Sequence, residues 1–277
     1  MQSNHMPLDL ISSILNDNTI SDVREIRLNG RGESTTHPQF SKIVEEARRY
    51  HPAATLSMFS NMMFRDDSLL PLLQENSIDL YVSIDSAQKK LYEKIRKGSS
   101  FDRLLRRMPY LEGATIVFTL QPENFTQISE VCQFAANHGM KFILNVVRTD
   151  DEAFANRFRL MLQQKWDYLV DQLKSCLDIL RDGVLLPDRI WGVPLPNELS
   201  KCVTCGSLDT CPIVEHEIMI GHDGLVYPCN MFNPTVLGNI YDESLESILE
   251  GQARKTFVSN HKEHYYCKNC AFVWKVE

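Results

Sequence analysis

Between residues 24 and 147, short apolar runs alternate with longer stretches in which apolar positions recur every three or four residues. The first pattern suits strands, whose side chains alternate between faces, and the second suits helices with one buried stripe. An amphipathic helix over 7–15 comes first. Strands are expected at 24–29, 54–60, 78–85, 114–120 and 141–147, with helices at 37–50, 67–75, 88–111 and 124–138 between them. Gly98 should break the third of these helices and Gly139 should close the fourth. The later strands carry apolar residues at adjacent positions, so both faces need cover. That is the signature of a parallel sheet in an α/β fold. Right-handed crossovers then place every strand-to-helix loop at one end of the sheet, where sites are built.

Beyond 147 the pattern lengthens. Leu162, Trp166, Leu169, Leu173 and Leu177 predict one long helix over 155–180, ended by Arg181-Asp-Gly183. Residues 187–196 read as an irregular linker. The chain then changes character, because six of its eight cysteines fall between Cys202 and Cys270. The expected division is therefore 1–183 and 184–277. Within the second part, 220–229 reads as a hairpin turning at Asp223-Gly224, and 244–259 as one helix.

Four of those cysteines are spaced as Cys211-x12-Gly224-x4-Cys229, followed by Cys267-x2-Cys270. Two residues between cysteines let one tight turn aim both sulfurs at a single metal centre, a spacing that a disulfide framework has no reason to prefer. Disulfides also need an oxidising compartment, and the N-terminus shows no basic-then-apolar signal segment. A structural zinc site and a four-thiolate iron-sulfur cluster both fit the spacing. Cys202-x2-Cys205 makes a further pair that could share Cys211. Cys132 and Cys176 lie on helical patterns and read as small buried residues. His261 and His264 read as surface residues or neighbours of the ligands.

With 277 residues, 43% hydrophobic and 23% charged, the chain has the make-up of an ordinary globular protein with a core and a small annex. No apolar run approaches the roughly 20 residues of a membrane-spanning helix, and no membrane partner is expected. The net charge of -7 argues against broad phosphate-backbone binding, so no nucleic acid partner is expected either. Lys94, Arg96, Lys97, Arg103, Arg106 and Arg107 lie on helical patterns and read as a solvated face. The expected compartment is the cytoplasm, where thiols stay reduced.

Polar residues at the ends of the expected strands are the candidates for ligand binding. Gly30-Arg-Gly-Glu33 follows the first strand, and its two glycines, Gly30 and Gly32, let the backbone approach a ligand closely, with Glu33 suited to an ammonium group. Ser60-Asn61 ends the second strand, and Ser83 with Asp85 ends the third. Arg96, beside the break at Gly98, could turn toward the strand ends and pair with a carboxylate. Each of these alone also fits a plain turn, a helix cap or a surface charge.

In this order the pieces resemble the radical S-adenosylmethionine (SAM) enzymes over essentially the whole chain. Gly30-Arg-Gly-Glu33 is similar to that family's Gly-Gly-Glu motif, which binds the SAM amino group. Ser60-Asn61-Met62 resembles its Thr-Asn-Gly, and Val82-Ser-Ile-Asp85 with Tyr92-Glu-Lys-Ile-Arg96 resembles its fourth strand and the helix after it. The resemblance implies a partial (β/α) barrel of parallel strands, with Ser83 and Asp85 near the SAM ribose, Arg96 toward its carboxylate and Asn145 toward the adenine. Cys211, Cys229, Cys267 and Cys270 resemble the twitch form of the SPASM extension, which implies a small C-terminal domain holding one auxiliary [4Fe-4S] cluster.

One departure stands against these matches. The family's Cys-x3-Cys-x2-Cys, which leaves one iron open to SAM, is absent, and no cysteine precedes Cys132. A SAM-cleaving [4Fe-4S] cluster is expected only where that motif is present, so an N-terminally shortened chain, inactive as given, is expected. The strand at 24–29 would then be an exposed sheet edge and a point of self-association. When complete, the protein is expected to oxidise or otherwise modify a peptide or small molecule through a 5'-deoxyadenosyl radical. The alternative is a non-catalytic member that binds a peptide or partner protein.

Overall fold

The computed structural model describes residues 5–29, 32–147, 149, 151–187, 189–190, 193–196, 198–199, 211–229, 235–264 and 267. Six strands form one sheet in the order β1-β2-β3-β4-β5-β6: Glu25–Arg27, Thr55–Ser60, Asp79–Ser83, Thr115–Leu120, Lys141–Val146 and Val184–Leu185. The pairings of β1 with β2, β3 with β4, β4 with β5 and β5 with β6 are parallel. Helix α1 (Leu8–Leu15) precedes β1; parallel neighbours need crossovers, and the later helices supply them: α2 (Phe40–Tyr50), α3 (Leu69–Glu75), α4 (Lys89–Ile95), α5 (Phe101–Arg107), α6 (Ile128–Asn137), α7 (Glu152–Gln164) and α8 (Trp166–Leu180). The α/β class and the parallel sheet expected from the sequence are therefore present.

The chain divides into two compact units. One comprises Met1–Met58, Glu75–Ile78 and Ser207–Glu277, and the other Phe59–Gln74 and Asp79–Gly206. In the first, α1 packs on α2, and His51 at the end of α2 meets the Leu15 carbonyl at 2.7 Å. Phe40, Val44 and Ala47 bury one face of α2, and Leu56 of β2 is also buried, as their spacing predicts.

The same unit holds the C-terminal annex. Between β7 (Arg189–Ile190) and β8 (Val193–Pro194) of the other unit and the annex lie residues outside those described. The annex runs α9 (Pro212–His216), β9 (Met219–Ile220), β10 (Leu225–Tyr227), β11 (Gly238–Asn239), α10 (Leu245–Glu250) and α11 (Gln252–Asn260). Its three strands are antiparallel, in the order β11-β10-β9. Gly224 makes the expected turn with φ +79°, a conformation that glycine adopts without steric cost. Val214, Val226, Leu237, Ile248, Phe257 and Cys267 close a small core of their own. Glu217 of the annex accepts from Arg27 of β1 at 3.4 Å.

In the second unit, one face of the sheet is buried, with Val82, Ile116, Phe118, Phe142 and Leu144 on it and Phe118 packed on Phe142 with ring centroids 5.8 Å apart, while Ser83, Thr119 and Asn145 on the opposite face are half-buried. Three expectations need correction. The helix over 155–180 is two helices broken at Lys165, because the buried stripe of Leu162, Leu169 and Leu173 continues across the break and hides it. Residues 244–259 also form two helices, since Gly251 takes an extended ψ of 159° between them. The stretch read as a linker carries the two-residue pair β7 and β8.

Two further readings change. Arg107 is not on a solvated face: it is 3% exposed, one turn beyond buried Leu104. Cys132 of α6 and Cys176 of α8 are buried as expected, but they are also joined in a disulfide, because these two helices pack side by side and bring their Cα atoms to 5.6 Å. Among the described residues, no helix is long and apolar enough to cross a membrane.

Candidate functional site

The polar residues expected at the strand ends fall into two groups, one in each unit. In the first unit, β1 is the terminal strand of the sheet, and the chain leaves it toward Glu33. Gly30 and Arg31 lie outside the described residues. Gly32 is exposed, with open space where a Cβ would stand. Glu33 is half-buried and precedes a single 3-10 turn over Ser34–Thr36. Its Oε1 accepts from Thr35 Oγ1 at 2.8 Å, and its carbonyl accepts from Thr36 Oγ1 at 2.7 Å. The local sequence thus holds the carboxylate by its own downstream hydroxyls.

In the second unit, the loops after β2, β3 and β4 meet helices that fix them. Asn61 directly follows β2, and its Oδ1 accepts from the Met63 amide at 2.7 Å. Ser83 ends β3 in register with Val117 of β4. Asp85, two residues on, is 3% exposed and engaged on both carboxylate oxygens: Oδ1 accepts from the Thr119 amide at 2.7 Å, and Oδ2 pairs with Arg96 Nε at 2.8 Å. Arg96 caps α4 just before Gly98, whose φ of +85° makes the break read from the sequence.

Burial dominates the acidity of Asp85. The loss of water raises its pKa above 3.8 even though Arg96 and the Thr119 amide both favour the ionised form. A carboxylate with these partners joins β3, β4 and α4 at the sheet end. The sequence pointed Arg96 toward a carboxylate, and the structure sets it against that of Asp85. Asn145 lies on β5 opposite Thr119 and is half-buried.

Two polar residues that sequence reasoning passed over complete this group. Asn124 is fully buried: its Nδ2 donates to the Asp85 carbonyl at 3.1 Å and the Thr119 carbonyl at 2.9 Å, while its Oδ1 accepts from the Gln121 amide at 2.9 Å. The strand-end rule that selected Ser83 applies equally to Asn124, four residues after β4. Arg107 is the other, and its charge disguised its place on a buried stripe.

The candidate metal ligands belong to the first unit. Cys229 and Cys267 are buried and Cys211 is half-buried. Cys211 and Cys267 pack with the apolar side chains of the annex core. Cys270, Cys202 and Cys205 lie outside the described residues. Among the described residues, no three His, Cys, Asp or Glu side chains gather tightly enough to hold a single metal ion. A four-iron cube spaces its ligands more widely than one ion does, because each sulfur binds a different corner. Thiols backed by apolar side chains, with water kept away, fit the soft, partly buried iron of such a cube. Of the two histidines near Cys267, His261 is 4% exposed and its Nδ1 lies 2.8 Å from the Val258 carbonyl. His264 Nε2 lies 3.1 Å from Thr235 Oγ1.

Comparison with known proteins bears on both groups. Residues 211–271 match the SPASM family, an iron-sulfur cluster-binding domain. Among curated proteins, the tungsten-containing aldehyde ferredoxin oxidoreductase cofactor-modifying protein of Pyrococcus furiosus is 26% identical, over 96% of this chain and 79% of that protein. The mycofactocin maturase MftC of Mycolicibacterium smegmatis is 24% identical over 64% of this chain, and the match spans 46% of the maturase. Two solved structures share the fold. Native anSMEcpe with bound AdoMet aligns over 96% of this chain and 79% of its own, with a TM-score of 0.64 and 18% identity. Streptococcus suis SuiB bound to the precursor peptide SuiA aligns over 98% of this chain and 64% of its own, with a TM-score of 0.66 and 14% identity.

Proposed function

We propose, for a chain that belongs to the radical SAM family with a SPASM extension, a part in the radical modification of a peptide or a small-molecule cofactor. The division at 1–183 and 184–277 then separates a SAM-binding partial barrel from a twitch-type cluster domain. Gly30, Gly32, Glu33, Asn61, Ser83, Asp85, Arg96 and Asn145 would hold SAM, and Cys211, Cys229, Cys267 and Cys270 an auxiliary [4Fe-4S] cluster. The observation that carries this reading is the joint presence of a cysteine-rich SPASM match and a parallel sheet whose strand ends bear these polar residues.

In this family SAM supplies hydrogen abstraction from an unreactive C–H bond. The chain's own residues bind, orient and exclude water. Glu33 would offer a carboxylate to the amino group, and the buried Asp85–Arg96 pair fixes the sheet end of its own unit. A cluster with all four irons thiolate-bound has no open site for SAM but can accept an electron, which suits an oxidation of substrate. We read the protein as an oxidoreductase whose relatives' peptide and cofactor substrates indicate its own substrate class. The second reading is a non-catalytic member that binds a peptide or partner protein.

Iron and sulfide quantification of the anaerobically reconstituted chain, with its absorption spectrum, tests the cluster: four irons are expected, and zinc in their place would overturn it. Incubation with SAM and reductant separates the two readings. The chain as given should form no 5'-deoxyadenosine. Formation restored by an upstream Cys-x3-Cys-x2-Cys would support the enzyme, and continued silence would support the binding module.

A further inference from the structure

Arg107 ends α5 at 3% exposure, a depth at which an unpaired guanidinium is strongly disfavoured. Its partners all lie in one loop after β2. It donates to the Met62 carbonyl and, at 2.8 Å, to the Phe64 carbonyl; it pairs with Asp67; and its cation lies 4.0 Å from the centre of the Phe64 ring. This loop begins with Ser60-Asn61. Met62, next in line, is fully buried and has φ +57°, a left-handed conformation that a residue with a Cβ adopts only when its surroundings compel it.

The compelling groups are visible. Ser60 Oγ accepts from the Met62 amide at 2.9 Å, and Asn61 Oδ1 accepts from the Met63 amide at 2.7 Å. From the α5 side, the Ser100 amide reaches Met63 Sδ at 3.2 Å and Arg103 reaches the Met63 carbonyl at 3.4 Å. Arg107 is the deepest of these grips, and the one that holds carbonyls on both sides of Met63. The planar guanidinium fork can serve several acceptors at once, which a lysine ammonium cannot match in geometry.

We propose that Arg107 is a positioning residue that sets the left-handed turn at Met62 and thereby aims Asn61 at the end of β2. The inference rests on the reading of Asn61 as part of the SAM site. The test uses the full chain, reconstituted anaerobically, as Arg107→Met, Arg107→Lys, and Arg107→Met with Met62→Gly. Hydrogen exchange at the Met62 and Met63 amides should rise at least tenfold in Arg107→Met, with β4 and α6 unchanged. The dissociation constant for SAM, from equilibrium dialysis, should rise at least tenfold. Arg107→Lys should fall between, and it carries the test if Arg107→Met does not fold. Glycine at 62 takes the turn without strain, so the double variant should recover most of the lost affinity. Unchanged exchange at these amides, or a loosened loop with unaltered SAM affinity, would overturn the proposal. Absence of SAM binding by the unsubstituted chain would count against the cofactor reading alone, since the exchange measurement still decides whether Arg107 sets the turn.

Discussion

Gly238 of β11 stands against the buried core of the annex, and Gly238→Ala probes how tightly that core is packed. A Cβ there would stand 2.7 Å from Glu243 Oε1, 2.8 Å from Ile248 Cγ1 and 3.1 Å from Ile248 Cδ1. The glutamate is exposed and can swing away. Ile248 cannot, because it is 1% exposed and wedged among Val214, Val226, Leu237, Phe257 and Cys267. Forcing a methyl into such a core costs about 1–3 kcal/mol. Ile248→Ala alone leaves a hole and costs about 2–5 kcal/mol. Combined, the two changes should cost less than their sum by at least about 1 kcal/mol, since the new methyl enters the space that the isoleucine vacates. Denaturant melts of the four proteins followed by circular dichroism measure this, and iron retention should fall in step, because Cys267 belongs to the same core. A Gly238→Ala protein within about 0.5 kcal/mol of the original, or strict additivity, would refute the packing argument.

Three other outcomes can be checked with simpler measurements. Asp85 and Glu217 both titrate above their usual values of 3.8 and 4.5, chiefly through burial. Each therefore binds its proton more tightly in the folded chain, so its contribution to stability is full below the unfolded value and is lost as pH rises through the raised one. Stability against pH should slope downward in that window, and Asp85→Asn should flatten the slope. An unaltered slope in the variant would assign it elsewhere. Ser244 caps α10 by accepting from the Ser247 amide at 3.1 Å, so Ser244→Ala should cost about 0.5–2 kcal/mol in a denaturant melt, and Ser244→Asp much less. β1 is a terminal strand with Ile26 half-buried, so the chain should self-associate at high concentration and Ile26→Lys should reduce it, by light scattering. A monomer throughout would dismiss the edge as a contact.

Much of the fold was legible because period and punctuation agreed. Gly98, Gly139 and Gly224 mark breaks in the pattern, and all three have positive φ, so the turns were written in the residue type. Where the sequence misled, the two signals had separated. The break at Lys165 interrupts the backbone without interrupting the apolar stripe, and no glycine or proline stands there to mark it. β6 is two residues long, too short to show any alternation, and its pairing with β5 exists only in three dimensions. The Cys132–Cys176 pairing is of the same kind, since 44 residues separate the partners and only the packing of α6 on α8 joins them.

The candidate site divides along the same line. Short polar residues at strand ends can be found from one sequence, because a parallel sheet leaves few other places for its loops. What holds them cannot be found that way. Arg107 follows Phe101 and Leu104 at helical spacing and precedes Met108 and Leu111, so its position belongs to a buried stripe while its charge argues for solvent. Position prevails because the loop after β2 supplies the carbonyls, Asp67 and the Phe64 ring that a buried guanidinium requires. A cation on an otherwise apolar stripe is thus a sign that some unseen stretch of backbone needs holding. In this chain that stretch begins with Asn61.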